Sequence, residues 1–185
     1  MSLFTQHTEA TAPAESAAIL AQVKARYGFI PNLAGYLAES PAALGAVLSL
    51  AGAVDKSSLT PQEQQIVQLT ISVLNGCGYC KTAHTGMGKM AGVDEATIHA
   101  IVGLTPLPDA RLNALRDFVQ KVVEERGWVS EAEVHTFMNA GYTRAHVFDV
   151  VLAVANKVLT NYTNHIVGTL VNEEFVAMAE GRIAA

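Results

Sequence analysis

The segment Thr60-Pro61-Gln62-Glu63 constrains the fold more than any other feature of the chain. Thr60 can cap a helix, Pro61 fits the first helical position where its missing N–H costs nothing, and Glu63 completes a capping box. The helix opened there has room to run to about Leu74, where Asn75-Gly76 supplies a stop. A second helix is expected from Cys77 or Gly78 to about Met90, ended by Ala91-Gly92. Two helices folded back on each other across a tight turn are therefore written into the middle of the chain.

The rest keeps the same period. Apolar positions at helical spacing predict helices over about 14–26, 33–38, 41–54, 94–102, 109–126, 130–139 and 143–170, with a second capping box at Ser130-Glu131-Ala132-Glu133. In the last of these, Val147, Val150, Val151, Val154, Val158 and Leu159 are expected on the buried side. No segment reads as a strand, because even the valine-rich stretch keeps helical spacing and lacks turn punctuation. The expected fold is all-α, a multi-helix bundle forming one domain over residues 1–185, with a C-x-x-C at a helix N-terminus. Leu74-Asn75-Gly76-Cys77 to His84 and Leu159-Thr160-Asn161 to His165 faintly echo each other, which raises an internal duplication as one reading.

Composition narrows the function. With 50% hydrophobic residues and 16% charged, a monomer has difficulty covering itself with charge, so burial between copies is expected. The net charge of −5 and the lack of any Lys/Arg cluster argue against nucleic acid. Met1 to Ala18 lacks a basic n-region followed by an apolar h-region, and Val147 to Val158 is interrupted by Asp149, Asn156 and Lys157. Neither a signal peptide nor a membrane span is expected, and the reading is a cytoplasmic protein.

The two cysteines, Cys77 and Cys80, close too small a loop to staple the fold, so chemistry explains them better. At ~100° per residue, positions 77, 80 and 84 fall within about 60° on a helix, placing both sulfurs and the His84 imidazole on one face. A helix N-terminus favours thiolate over thiol. A dithiol at this spacing can close to a disulfide once one sulfur is oxidised, as a peroxidase or disulfide exchanger requires, and His84 could accept the Cys80 proton. Three other readings use the same residues. The cysteines could be inert small hydrophobes beside a core histidine. C-x2-C-x3-H could supply three zinc ligands, with His165 or a carboxylate as the fourth. The motif could also be a redox remnant in a protein that only binds a partner.

Leu59-Thr60-Pro61-Gln62-Glu63-Gln64-Gln65-Ile66-Val67 through Asn75-Gly76-Cys77-Gly78-Tyr79-Cys80 and Ala83-His84 resembles the core of the carboxymuconolactone decarboxylase superfamily on its AhpD-like (alkylhydroperoxidase D-like) branch. The likeness covers residues 59–92, and Asn161-Tyr162-Thr163-Asn164-His165 more loosely resembles a later region of peroxidase-related members. It implies an all-helical subunit assembling as a homo-oligomeric dimer, trimer or hexamer, and hydroperoxide reduction without haem, flavin or metal. It also implies Cys80 as peroxidatic thiol, Cys77 as resolving thiol, His84 in the proton relay, and a dithiol reductant such as a lipoyl-bearing protein. A decarboxylase-like lyase is the alternative within the superfamily, and a redox-responsive binding or assembly protein the alternative outside enzymes.

One departure stands out. The family's relay glutamate lies at the position of Gln65, and an amide cannot take a proton as a carboxylate can. Glu63 is the nearest replacement, although the capping box offers it a structural task. Along a ~1.5 Å rise, His84 would lie ~10 Å from the turn, position 65 ~15 Å and position 63 ~18 Å, which favours Gln65. Tyr79, between the cysteines, could donate to a peroxide oxygen or pack over the disulfide. Tyr162 and His165 are weaker candidates to approach the site from the last long helix. His7, His99, His135 and His146 lie outside any motif and receive no role.

Overall fold

The computed structural model describes residues 3–182, and within them the regular structure is entirely helical. The elements are α1 (Ala14–Tyr27), α2 (Asn32–Leu37), α3 (Pro41–Asp55), α4 (Pro61–Leu74), α5 (Gly78–Met90), α6 (Glu95–Val102), α7 (Ala110–Glu124), α8 (Glu131–Asn139), α9 (Arg144–Val167) and α10 (Glu173–Ala179).

Helix α4 is the central strut. Thr60 accepts from the Glu63 N–H while the Glu63 carboxylate accepts from the Thr60 N–H and hydroxyl, so the capping box forms as the sequence signals. Buried positions run round the helix, from Ile66, Val67 and Ile71 to Gln64, Gln68, Thr70 and Ser72, as expected of a helix with neighbours on every side. One apolar cluster joins α4 to α6, α7, α8 and α9 through Ile66, Leu69, Ile98, Leu115, Phe118 and Phe137. The other gathers α1, α2, α3, α5 and α10 through Leu20, Leu33, Leu37, Leu44 and Phe175, and both cysteines belong to it.

The turn between α4 and α5 fixes where the sulfurs stand. Cys77 N–H donates to Ser72 O and Gly76 N–H to Val73 O, each at 2.9 Å, which is the Schellman closure of α4. Gly76 sits at φ +66°, a conformation that disfavours any side chain. Cys77 thus ends one helix and is the N-cap of the next.

The structure corrects the sequence-based expectations at the C-terminal end. Helix α9 stops at Val167 with Gly168 in the left-handed conformation, short of Leu170, and α10, which the periodicity did not announce, packs back on α5. Gly86 permits that approach, since a Cβ there would lie 2.6 Å from Met178 Cβ and 3.0 Å from Ala179 N. The buried side of α9 also differs from the expected valine stripe. Val150 is fully buried, but Val151 and Val158 are 49% and 36% exposed. The inward face carries Asn156, Lys157, Thr160, Asn161 and Asn164 instead. Because residues 159–165 lie inside continuous helix whereas residues 75–77 form a turn between two helices, the faint echo between the two segments has no common local structure.

Candidate active site

The polar face of α9 lies against the start of α5, and the two together form the site. Cys77 and Cys80 are free thiols, 2% and 3% exposed. Asn164 Nδ2 reaches both sulfurs, at 3.2 Å from Cys80 Sγ and 3.7 Å from Cys77 Sγ. The hydrogen bond from Cys77 is the main reason that the Cys80 thiol is pushed well below its usual range. The Lys157 charge, with hydrogen bonds from Lys157 and Asn161, adds to it, and burial opposes it. Cys77 moves the other way, because its hydrogen bond to Cys80 and then burial both favour its protonated form. The two shifts run in opposite directions, Cys80 toward thiolate and Cys77 toward thiol.

His84 is buried between two partners. Its Nδ1 lies 2.9 Å from Gln65 Oε1 and its Nε2 lies 2.8 Å from Lys157 Nζ. A lysine ammonium only donates, so Nε2 carries the lone pair and Nδ1–H donates to the Gln65 carbonyl oxygen. Burial, then the Lys157 charge, holds the imidazole well below its ordinary basicity, so the ring is neutral. Its one lone pair faces Lys157, so the geometry provides a chain from Gln65 through His84 to Lys157, where the spacing alone had suggested direct transfer from Cys80 to His84.

The other candidates fall outside this chain. Glu63 accepts from Arg111 at 2.5 Å and from the Tyr142 hydroxyl at 3.0 Å as well as from Thr60, at the far end of α4 from the cysteines. Those hydrogen bonds outweigh burial and hold its carboxyl below the usual range, so its task there is structural. Tyr79 gives its hydroxyl proton to Asn172 Oδ1 at 2.9 Å and packs edge-on against Phe175. Asn172 Oδ1 also accepts from Asn32 N–H at 2.8 Å, which ties α2, α5 and the start of α10 together. Tyr162 and His165 point away from the thiols, exposed and stacked on each other. Among the described residues no group of three or more His, Cys, Asp and Glu side chains is gathered closely enough to hold a metal ion, so Cys77, Cys80 and His84 do not form the three-ligand set that the spacing could supply.

A cavity of about 120 Å³ opens onto Cys80. Leu33, Leu37, Leu44, Leu48, Met87 and Phe175 make its apolar walls, while Gln68, His84, Asn156 and Lys157 supply polar groups beside the sulfur. An apolar pocket with a few convergent polar groups and a depressed thiol is the arrangement expected of a small-molecule site.

Residues 41–119 match the carboxymuconolactone decarboxylase family. A peroxidase-related protein from Ralstonia eutropha JMP134 with an alkylhydroperoxidase AhpD core superposes with a TM-score of 0.87 at 24% identity, over 100% of this chain and 98% of that one. The match spans less than half of the 185 residues, so the chain resembles that family from α3 into α7 and shares the AhpD-core fold over its whole length. A peroxidase-related protein from Silicibacter sp. TM1040 superposes with a TM-score of 0.77 at 21% identity, covering 89% and 88% of the two chains. The debrominase Bmp8, bound to 2,3,4-tribromopyrrole, superposes with a TM-score of 0.80 at 14% identity, covering 98% and 97%. At these identities the superpositions establish the AhpD-like fold. No curated protein matches the chain.

Sequence reasoning missed Lys157, Asn161 and Asn164 of this site. The signal was there: positions 156, 157, 160, 161 and 164 share one face of a helix, and polar residues recur at all of them. Asn156 and Lys157 were read only as interruptions of an apolar run. Within Asn161-Tyr162-Thr163-Asn164-His165, the two asparagines face the sulfurs and the aromatic pair faces out.

Proposed function

We propose that the protein is a thiol-dependent peroxidase, or dithiol–disulfide oxidoreductase, that reduces hydroperoxides through Cys80 and Cys77. The observation that carries this reading is the split pair: a Cys80 held toward thiolate beside a Cys77 held as thiol, at the end of an apolar cavity. The Cys80 thiolate attacks the terminal peroxide oxygen and becomes a sulfenic acid. The Cys77 thiol then attacks Cys80, forming the disulfide and releasing water. A dithiol reductant, such as a lipoyl group on a partner protein, returns the pair to its starting state by exchange. His84, its tautomer fixed by Gln65, holds Lys157 in place beside the thiolate.

A pair that cycles through its dithiol form needs a reducing compartment, which supports a cytoplasmic location. Among the described residues no helix is long and apolar enough to cross a membrane. The exposed face of α9 presents Phe148, Val151, Val158, Tyr162 and Ile166 at spacings of three, four and seven, and this stripe supports a homo-oligomer. Sedimentation of the wild type against Val151→Lys tests it, with dissociation of the variant as the expected result.

Reductive dehalogenation of a small ring is a second reading, favoured by the apolar walls next to Cys80 and by the shared fold of Bmp8. Turnover assays with dihydrolipoamide as reductant separate the two. Consumption of an alkyl hydroperoxide supports the peroxidase. Halide release from a brominated pyrrole without peroxide consumption supports the alternative, and a response to neither, with carbon dioxide released from a lactone acid, points to a decarboxylase-like lyase.

A further inference from the structure

An alkoxide leaving a hydroperoxide must be protonated, and most groups around the cavity are committed elsewhere. Gln65 carries no transferable proton at neutral pH. The His84 Nδ1–H is donated to Gln65 and its lone pair is occupied by Lys157. Glu63 is bound by Arg111 and Tyr142. The Tyr79 hydroxyl is given to Asn172. Tyr27 lines the cavity from α1 with the Arg26 guanidinium over its ring, a contact that leaves its hydroxyl proton uncommitted. Cys77 keeps its proton for the second step.

Lys157 is different. It is 3% exposed, lines the cavity beside Cys80, and has His84 Nε2 as a neutral acceptor. Among the described residues no carboxylate pairs with it. A buried cation with no carboxylate is costly unless another anion compensates it, and the anions this cavity offers are the Cys80 thiolate and whatever charge develops on a bound substrate.

We propose that Lys157 is the catalytic acid of the site, delivering the proton required by the leaving oxygen. The step rests on the peroxidase reading. The Cys80 sulfur forms a bond to the terminal oxygen of R–O–OH, and the O–O bond breaks. Its electron pair departs on RO⁻, which takes a proton from Lys157 Nζ and leaves as ROH. Cys80 is then a sulfenic acid and Lys157 a neutral amine. In the second step the Cys77 sulfur displaces hydroxide from Cys80, and the Cys77 proton leaves with it as water. The dithiol reductant supplies two electrons and two protons. One proton returns to Cys77 and the other to Lys157, and Cys80 is released as thiolate. His84 and Gln65 are positioning residues: the imidazole, fixed in one tautomer by Gln65, holds Nζ through a hydrogen bond without taking its proton.

The test is a dependence on the leaving group. Lys157→Arg keeps a positive charge near Cys80 but does not release a proton at accessible pH. With an alkyl hydroperoxide, whose alkoxide needs a proton, Lys157→Arg is expected to slow Cys80 oxidation on the order of 100-fold or more, as removal of a general acid does. With peracetic acid, whose acetate leaves without protonation, the loss is expected to stay below about tenfold. Lys157→Met, which also removes the charge, should slow both reactions. Thermal melts confirm that each variant is folded, and if Lys157→Met does not fold, Lys157→Arg carries the test alone. Equal losses with the two oxidants, or none with either, overturn the assignment of Lys157 while leaving the peroxidase reading in place. A wild type that reacts with neither oxidant faster than free cysteine overturns the reading itself, and this step with it.

Discussion

Lys157 Nζ donates to His84 Nε2 at 2.8 Å, and this contact orders the proton chemistry of the site. It fixes the imidazole tautomer, turns the Nδ1–H to Gln65, and places a buried positive charge beside a cysteine that is shifted toward thiolate. A glutamine at position 65 is well matched to that arrangement, because a neutral ring needs an acceptor and no proton sink.

The two sulfurs should separate in function. Cys80→Ser is expected to abolish peroxide turnover. Cys77→Ser should allow one oxidation, to a Cys80 sulfenic acid that a dimedone-type probe traps, and then stall because no resolving thiol remains. Equal and full turnover in both variants would contradict the assignment.

The pH dependence follows from the opposite shifts. Cys80 is lowered from an ordinary value of 9.0, so its thiolate is present above its folded value and is lost only as pH falls through it. Alkylation by iodoacetamide at Cys80 should therefore remain fast at pH values where free cysteine has become slow. Since the Cys77 hydrogen bond is the largest cause, Cys77→Ala, which leaves no donor there, should move the Cys80 profile to higher pH, and an unmoved profile would count against that cause. The linked stability has the same sign: the Cys80 contribution is fully present above the ordinary value of 9.0 and is lost as pH falls from there through the folded value.

Gln65→Leu removes the acceptor of the His84 Nδ1–H. The stranded donor and the freed tautomer should cost roughly tenfold or more in peroxide rate, the equivalent of about 1.4 kcal/mol. Gln65→Glu tests the departure from the family pattern. A higher rate would show that proton transfer is limited by the amide, whereas the Lys157 route predicts an unchanged or lower rate.

Glu63 predicts a stability effect. Glu63→Ala strands the Tyr142 hydroxyl, unpairs Arg111 and opens the capping box, for an expected loss of about 2–4 kcal/mol in denaturant unfolding. Its folded value is lowered from 4.5, so the stability it contributes is present above that pH and is lost as pH falls through the folded value. Wild type should lose stability across that acid window more steeply than Glu63→Ala. The Cys80 alkylation rate of the folded variant should be that of the wild type.

Gly86→Ala would bring a methyl to 2.6 Å from Met178 Cβ and 3.0 Å from the α10 backbone. Overpacking of about 1–3 kcal/mol is expected, with faster hydrogen exchange in α10 before the rest of the chain.

Where local chemistry dictated structure, the sequence was legible. Thr60, Pro61 and Glu63 marked the start of α4, and Asn75-Gly76 marked its end because the glycine alone meets the φ that the turn requires. Cys80 and His84, one turn apart on α5, line the same cavity as their spacing suggested, whereas Cys77 is the N-cap before that helix. Helix α9 was less legible because it carries two stripes. Periodicity identifies an apolar face through Val151 and Val158 and a polar face through Lys157 and Asn164, but not which of them a neighbouring helix will cover. The polar face turned inward because α5 offers it sulfur and imidazole partners, a tertiary fact that no local pattern records. Helix α10 escaped for a related reason: it spans only Glu173–Ala179, too short for a periodic signal, and its position depends on Gly86 and on Tyr79 binding Asn172.

The central claim is tested most directly by mixing the fully reduced protein with an alkyl hydroperoxide in a stopped-flow instrument, counting thiols before and after, and locating any disulfide by mass spectrometry. The account predicts loss of both thiols, far faster than for free cysteine, with an intramolecular Cys77–Cys80 bond as the product. Thiols that react no faster than free cysteine, or that end as a stable Cys80 sulfenic acid beside an unreacted Cys77, would contradict it.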